Sequence, residues 1–180
     1  MKKLIMVIMV GLLILPVAAN AGSFQAKDRT FTLSGSGESE NDFDNAVISM
    51  QASVGYFIKD NIEIAFRQGL SFSDSGDGET DWAGSSRIAA DRYMDDLGLK
   101  GILEPLTAFV GVNFGYRYGD EIDSDFIACP EVGLKYFISD TTFITTMVEY
   151  EILLETDYDE WDDAFSDGRF IYTIGMGLRF

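Results

Sequence analysis

Six stretches of the chain alternate apolar with small or polar residues, position by position, and that period of two restricts them to β-strands rather than helices. In the last of them Phe170, Tyr172, Ile174, Met176, Leu178 and Phe180 share one face, opposite Arg169, Thr173, Gly175, Gly177 and Arg179. Residues 46–57 set Ile48, Met50, Ala52, Val54 and Tyr56 against Ser49, Gln51, Ser53 and Gly55. Residues 62–72 set Ile62, Ile64, Phe66, Leu70 and Phe72 against Glu63, Ala65, Arg67, Gly69 and Ser71. In 106–118, Ala108, Val110, Val112, Phe114 and Tyr116 oppose Thr107, Gly111, Asn113, Gly115 and Arg117; in 131–136, Val132, Leu134 and Tyr136 oppose Glu131, Gly133 and Lys135. In 144–154, Ile144, Thr146, Val148, Tyr150, Ile152 and Leu154 oppose Thr145, Met147, Glu149 and Glu151. Alternation of this kind suits a strand with one greasy face, whether that face meets a protein core or lipid.

Two weaker segments complete an even set. Residues 30–38, with Phe31 and Leu33 on one face, form a plausible first strand, and Arg87 to Leu103 a plausible fourth. Around Asp91 to Asp96 neither phase keeps charge off the apolar face, so a bulge, or a strand end lying beyond the bilayer, is expected there.

The amino terminus narrows the setting. Met1-Lys2-Lys3, the apolar run Leu4 to Val17 and Ala19-Asn20-Ala21 have the basic, greasy and small-residue regions of a secretory signal peptide, expected to span 1–21 and to leave a mature domain of 22–180. No later apolar run reaches the length of about 20 residues that a spanning helix needs. An exported chain without such a helix is either a soluble β-domain or a closed barrel in an outer membrane. A soluble sandwich or lipocalin-like barrel would have to turn the glycine-rich face to water.

Connection lengths favour the membrane barrel. Lys59-Asp60-Asn61, Glu104-Pro105 and Ser139-Asp140-Thr141 read as tight turns, whereas 39–45, 73–86, 119–125 and 156–168 read as longer loops. Long loops on one side and short turns on the other are the barrel pattern. Those four loops hold 17 acidic residues and no Lys or Arg, so the formal charge of −17 is concentrated at one end. Such a charge argues against nucleic acid as a partner. The absence of His removes Ser-His-Asp triads and His-ligated zinc, and a single Cys permits no internal disulfide. No catalytic constellation and no cofactor are expected.

The stretches Phe109-Val110-Gly111-Val112-Asn113-Phe114-Gly115-Tyr116 and Glu131-Val132-Gly133-Leu134-Lys135-Tyr136-Phe137, with the ending Gly-Met-Gly-Leu-Arg-Phe, resemble the strands of the small eight-stranded outer-membrane barrels grouped with OmpA, OmpX and OmpW. The resemblance implies an all-β, up-and-down, antiparallel transmembrane barrel, monomeric, in contact with lipid and lipopolysaccharide. Tyr172, Ile174, Met176, Leu178 and Phe180 are similar to the signal that the barrel-assembly machinery reads.

On the face opposite lipid the sequence sets Glu63, Arg67, Lys100, Arg117, Glu131, Lys135, Glu149, Glu151 and Arg169. Eight strands leave room for side chains and little else. These charges therefore form either a salt-bridged plug, leaving a structural role with surface interactions through the acidic loops, or a porin-like gate to a narrow channel. The loop stretches 74–81 and 157–163 have the oxygen-rich composition that divalent cations favour but not the spacing of a calcium loop, so only shared cation binding is expected. Trp82 and Trp161 are placed in loops, Tyr56, Tyr116, Tyr136, Tyr150 and Tyr172 on the apolar face as an interfacial girdle, and Cys129 inside.

Overall fold

Residues that alternate in polarity have one way to satisfy both halves of the pattern at once, which is a sheet that separates two environments. In the computed structural model, which describes residues 24–38, 47–74, 80–94, 101–120, 125–154 and 168–180, that sheet closes on itself. Its strands are β1 (Arg29–Glu38), β2 (Val47–Lys59), β3 (Ile62–Asp74), β4 (Thr80–Met94), β5 (Leu106–Gly119), β6 (Asp125–Phe137), β7 (Thr142–Leu154) and β8 (Arg169–Arg179). Each pairs antiparallel with the next in sequence, and β8 returns to β1 through the register Thr30↔Arg179 to Gly35↔Ile174. Closure leaves no edge strand, so every strand has a hydrogen-bonding neighbour on both sides.

Which side faces in is unambiguous. Inward positions carry the polar residues: Glu63, Arg67, Arg87, Asp91, Asn113, Glu131, Lys135 and Glu149 are all buried. Outward positions carry Ile48, Val54, Phe66, Ile88, Phe114, Val132, Ile174 and Met176, each more than half exposed. This inverts a water-soluble protein, in which large apolar patches of that size are rare. The strands run 10 to 15 residues, enough for the 9–11 tilted residues that cross a hydrocarbon layer.

The second quarter of the barrel departs from the expected strand bounds. The fourth strand is not 87–103 but 80–94, and it carries no bulge: its pairing is continuous with β3 from Ile62↔Arg92 to Asp74↔Thr80 and with β5 from Ala83↔Gly119 to Met94↔Ala108. Asp91 takes the inward phase and finds Arg67, whereas Arg92 takes the outward phase, which reconciles two charges that the sequence seemed to force onto one surface. Much of the expected loop 73–86 is therefore strand. Trp82 is not a loop residue; it faces outward on β4 opposite Phe72, with its ring edge-on to Tyr118 at 6.1 Å. With β4 ending at Met94, Glu104-Pro105 closes a connection of eleven residues, 95–105, that includes a 3₁₀ turn at Gly101–Leu103, and is not a tight turn by itself. The other two turns at that end are short, 60–61 and 138–141.

Two irregularities have local causes. The β2–β3 register slips between Phe57 and Lys59, just before the turn. The β6–β7 pairing is interrupted between Ala128↔Ile152 and Glu131↔Glu149, where Pro130 has no N–H to give.

The apolar belt makes a direct prediction for stability in lipid. Val132→Arg, near mid-strand on the outer face, is expected to lower unfolding free energy by about 2–4 kcal/mol, while Tyr116→Arg near the loop-end rim costs about 0–1 kcal/mol. Urea unfolding of the protein in vesicles checks both.

Candidate functional site

The bore holds the chain's concentrated chemistry, and it is built in tiers from the short-turn end upward. The lowest tier is aromatic. Residues 24–28 fold beneath the barrel: Lys27, at φ 81°, turns the chain, its N–H donates to Phe57 O at 2.8 Å, and Ala26 N–H donates to Asp60 Oδ1 at 2.9 Å. That turn inserts Phe24 into the bore, where it is 1% exposed. Its ring stacks on Phe57 at 4.4 Å between centroids and tilts against Tyr93 at 4.8 Å and Phe137 at 5.2 Å, with Phe143 edge-on at 6.1 Å. Phe109 completes the buried cluster. These rings occupy inward positions near the closed ends of β2, β4, β5, β6 and β7.

The Lys135 ammonium stands on this aromatic floor. Nζ is 4.6 Å from the Phe143 ring centroid, 4.8 Å from Tyr93, 5.1 Å from Phe24 and 5.8 Å from Phe109, so ring quadrupoles replace part of its lost hydration. It also donates to Glu63 Oε2 at 3.3 Å. The same carboxylate accepts from Tyr93 Oη at 2.5 Å and from the Thr30 hydroxyl. Glu63 is thus buried with three donors around it.

Arg67 forms the central tier. Its guanidinium is bidentate to Glu131, Nη1 to Oε2 and Nη2 to Oε1 both at 2.6 Å, and Nη2 also donates to Asp91 Oδ2 at 2.8 Å. This planar fork is the geometry in which arginine binds carboxylates best. Above it, Arg87 Nη1 and Asn113 Nδ2 each donate to Glu149 Oε1 at 2.8 Å; Asn113 donates to Glu131 as well, and Arg87 to Gln51. Two glycines on β5 make room for these crossings. A Cβ at Gly111 would overlap the Asp91 carboxylate, and one at Gly115 would overlap the Arg87 side chain and the Ser86 carbonyl. At the top Glu151 accepts from Arg169 Nε at 2.9 Å and from Arg117 Nη1 at 3.4 Å.

The bore is therefore a cup. A polar vestibule of about 290 Å³, lined by Ser49, Ser71, Ser85, Arg87, Arg117 and Glu149 among others, opens toward the loop end. At the Arg67 tier a pocket of about 30 Å³ lies beside Glu63, Arg67 and Asp91. The aromatic floor then closes the other end.

Of the residues the sequence set on the inner face, Glu63, Arg67, Glu131, Lys135, Glu149 and Glu151 lie buried in the bore. Arg117 is at its upper rim, with 18% of its side chain exposed. Arg169 departs from the expectation of an interior residue: as the first residue of β8 it stands at the mouth with 62% of its side chain exposed. Lys100, Trp161, residues 1–23 and most of the acidic loop stretches lie outside the described residues. Arg87, Asp91 and Tyr93 belong to the same network and are not placed in the bore from the sequence; Asn113 is set on the polar face of its strand but not counted with the inner charges. The alternation of β4, with Arg87, Ala89, Asp91 and Tyr93 in one phase, places Arg87, Asp91 and Tyr93 in the bore. On the outer face Tyr172, Ile174, Met176, Leu178 and Phe180 are all exposed along β8, and Cys129 is fully buried on the inner face of β6. Among the described residues no group of three Cys, Asp or Glu is arranged to hold a metal ion.

No protein-family model and no curated protein matches the chain. Solved structures do. The N-terminal β-barrel domain of Pseudomonas aeruginosa OprF superposes with a TM-score of 0.57 at 16% identity, covering 87% of this chain and 98% of that one. Neisserial surface protein A superposes with a TM-score of 0.54 at 10% identity, covering 84% of this chain and 94% of that one. At such identities the likeness is one of fold: the chain is a small eight-stranded antiparallel barrel built as those two are.

The network has an energetic signature. Arg67→Met strands the Asp91 and Glu131 carboxylates in the bore and is expected to cost about 3–5 kcal/mol. Adding Asp91→Asn and Glu131→Gln removes both stranded charges and is expected to recover most of that loss, as read by unfolding of the three proteins in vesicles.

Proposed function

We propose that the chain is an exported outer-membrane barrel whose role is structural and interactive rather than conductive or catalytic. Residues 1–21 direct export, the outer face of the strands meets lipid, and the connections 39–46, 75–79, 120–124 and 155–168, which all join strands at the vestibule end, face the cell exterior. Those connections hold 15 acidic residues and no Lys or Arg. They suit contact with cationic partners, or with lipopolysaccharide phosphates through shared Mg²⁺ or Ca²⁺.

The membrane reading is supported by the inverted surface and by the fold shared with the OprF barrel domain and Neisserial surface protein A. The observation that carries the non-conducting reading is the filling of the bore. Six buried rings from Phe24, Phe57, Tyr93, Phe109, Phe137 and Phe143 close one end, and the ion pairs of Arg67 and Arg87 span the middle. An ion crossing this path would have to separate several buried pairs and displace stacked rings. The ionisable groups of the bore are engaged with one another, which supports a scaffold in preference to a reaction centre.

Planar-bilayer recording on the refolded mature protein tests this reading. Verified insertion without steady single-channel openings, for the wild type and for Glu131→Gln, is the expected result. Steady openings whose conductance changes in Glu131→Gln would instead establish a gated channel lined by the inner charges.

A further inference from the structure

We infer that the lipid-facing wall carries, at its closed end, a binding site for an anionic glycerophospholipid, an inference that rests on the membrane reading above. The outer surface of β1 to β4 has a groove of about 480 Å³ whose walls are Val54, Tyr56, Ile64, Phe66 and Ile88, with Arg29 at its end. Outward-facing Ala90 lies opposite Ile64. The apolar part has the character of an acyl-chain seat.

What distinguishes this groove from ordinary lipid contact is the charge at its closed-end mouth. Arg29 is paired in register with Tyr56, and both Arg92 and Lys59 are paired with Ile62, two positions along β3 from the groove wall at Ile64. Of three exposed cations from β1, β2 and β4, Arg29 lines the apolar channel, and Lys59 and Arg92 stand one outward position beyond its wall at Ile64. Among the described residues none of the three enters an ion pair, whereas the bore's Arg67, Arg87, Arg117 and Lys135 all do. Guanidinium groups without an ion-pair partner among the described residues, at the mouth of an apolar groove, match a phosphate-bearing lipid with net negative charge. A zwitterionic lipid brings its own ammonium to the same place and gains less.

A second outer groove supplies the contrast. It is larger, about 690 Å³, and crosses β5 to β8 past Val110, Val132, Leu134, Val148, Tyr172 and Ile174, with no charged side chain in its lining. It offers hydrocarbon contact without headgroup selection. The closed-end rim as a whole carries acids among its bases, Asp28, Asp60, Glu104 and Asp140 beside Lys27, Arg29, Lys59, Arg92 and Arg179, so any selection for anionic lipid comes from the local placement of Arg29, Lys59 and Arg92 at the groove and not from the net charge of that end.

The test is native mass spectrometry of the folded barrel released from micelles containing equal amounts of phosphatidylglycerol and phosphatidylethanolamine with identical acyl chains. The wild type is expected to retain phosphatidylglycerol over phosphatidylethanolamine by about fivefold for each engaged arginine. Lys59→Gln alone is expected to give an intermediate ratio, and Arg29→Gln with Lys59→Gln and Arg92→Gln to bring it near unity, while heat-modifiable gel mobility shows the barrel still folded. Equal retention by a folded wild-type barrel, or a preference that survives the triple substitution, overturns the site and leaves the membrane reading standing. A chain that is folded and soluble without detergent overturns both.

Discussion

In a closed sheet of eight strands every second side chain must fit a bore barely wide enough for side chains, and here that set includes Glu63, Arg67, Arg87, Asp91, Glu131, Lys135 and Glu149. Their pairing with one another is the constraint on which the rest depends. Charges removed from water are tolerated only when paired and hydrogen-bonded, and the Arg67 fork, shared between Glu131 and Asp91, joins β3, β6 and β4 across the lumen. With the polar face occupied inward, the apolar face has only the outside left to it. The same pairing that closes the bore thereby dictates a surface fit for lipid.

The two ends of the cup are finished differently, and the difference is chemical. At the short-turn end Phe24 is drawn in by the turn at Lys27 and packed against four other rings, with Lys135 poised over them. At the loop end the inward positions are Ser49, Ser71, Ser73 and Ser85, too small to fill the lumen, so a vestibule persists. An aromatic rim surrounds that end from outside, with Trp82 against Tyr118, Tyr116 against Phe126 and Tyr150 against Phe170. Amphipathic rings at this height suit a membrane–water interface.

Most of the architecture could be read from the sequence because period-two alternation is a local signal, and six strands display it over most of their length, with single breaks such as Gln68, Thr146 and Ile171. The fourth strand could not be placed correctly for two physical reasons. Its upper half, Gly84-Ser85-Ser86, is built of small residues that look like a loop, yet Ser86 bonds Gln68 and lies beside Tyr118 within the sheet. Its lower half carries adjacent charges, Asp91 and Arg92, whose assignment to opposite faces depends on Arg67, a partner 24 positions away along the chain. The inner charges of β3, β6 and β7 were legible from phase alone. The way they pair was not, because strand tilt sets which rungs meet across the lumen, and no single strand encodes that. Phe24 was equally hidden, since nothing in its neighbourhood alternates and its burial depends on the turn at Lys27.

The claim that the outward face lies in hydrocarbon is tested most directly by depth-dependent quenching with brominated lipids. A Trp161→Phe background leaves Trp82 as the reporter of the loop-end rim, and a second variant, with Trp82→Phe and Val132→Trp, reports the middle of the belt. The account predicts strong quenching of Val132→Trp by bromines deep in the acyl chains and of Trp82 by bromines near the headgroup. Quenching of both by aqueous acrylamide, with no response to brominated lipid at either depth, would contradict it.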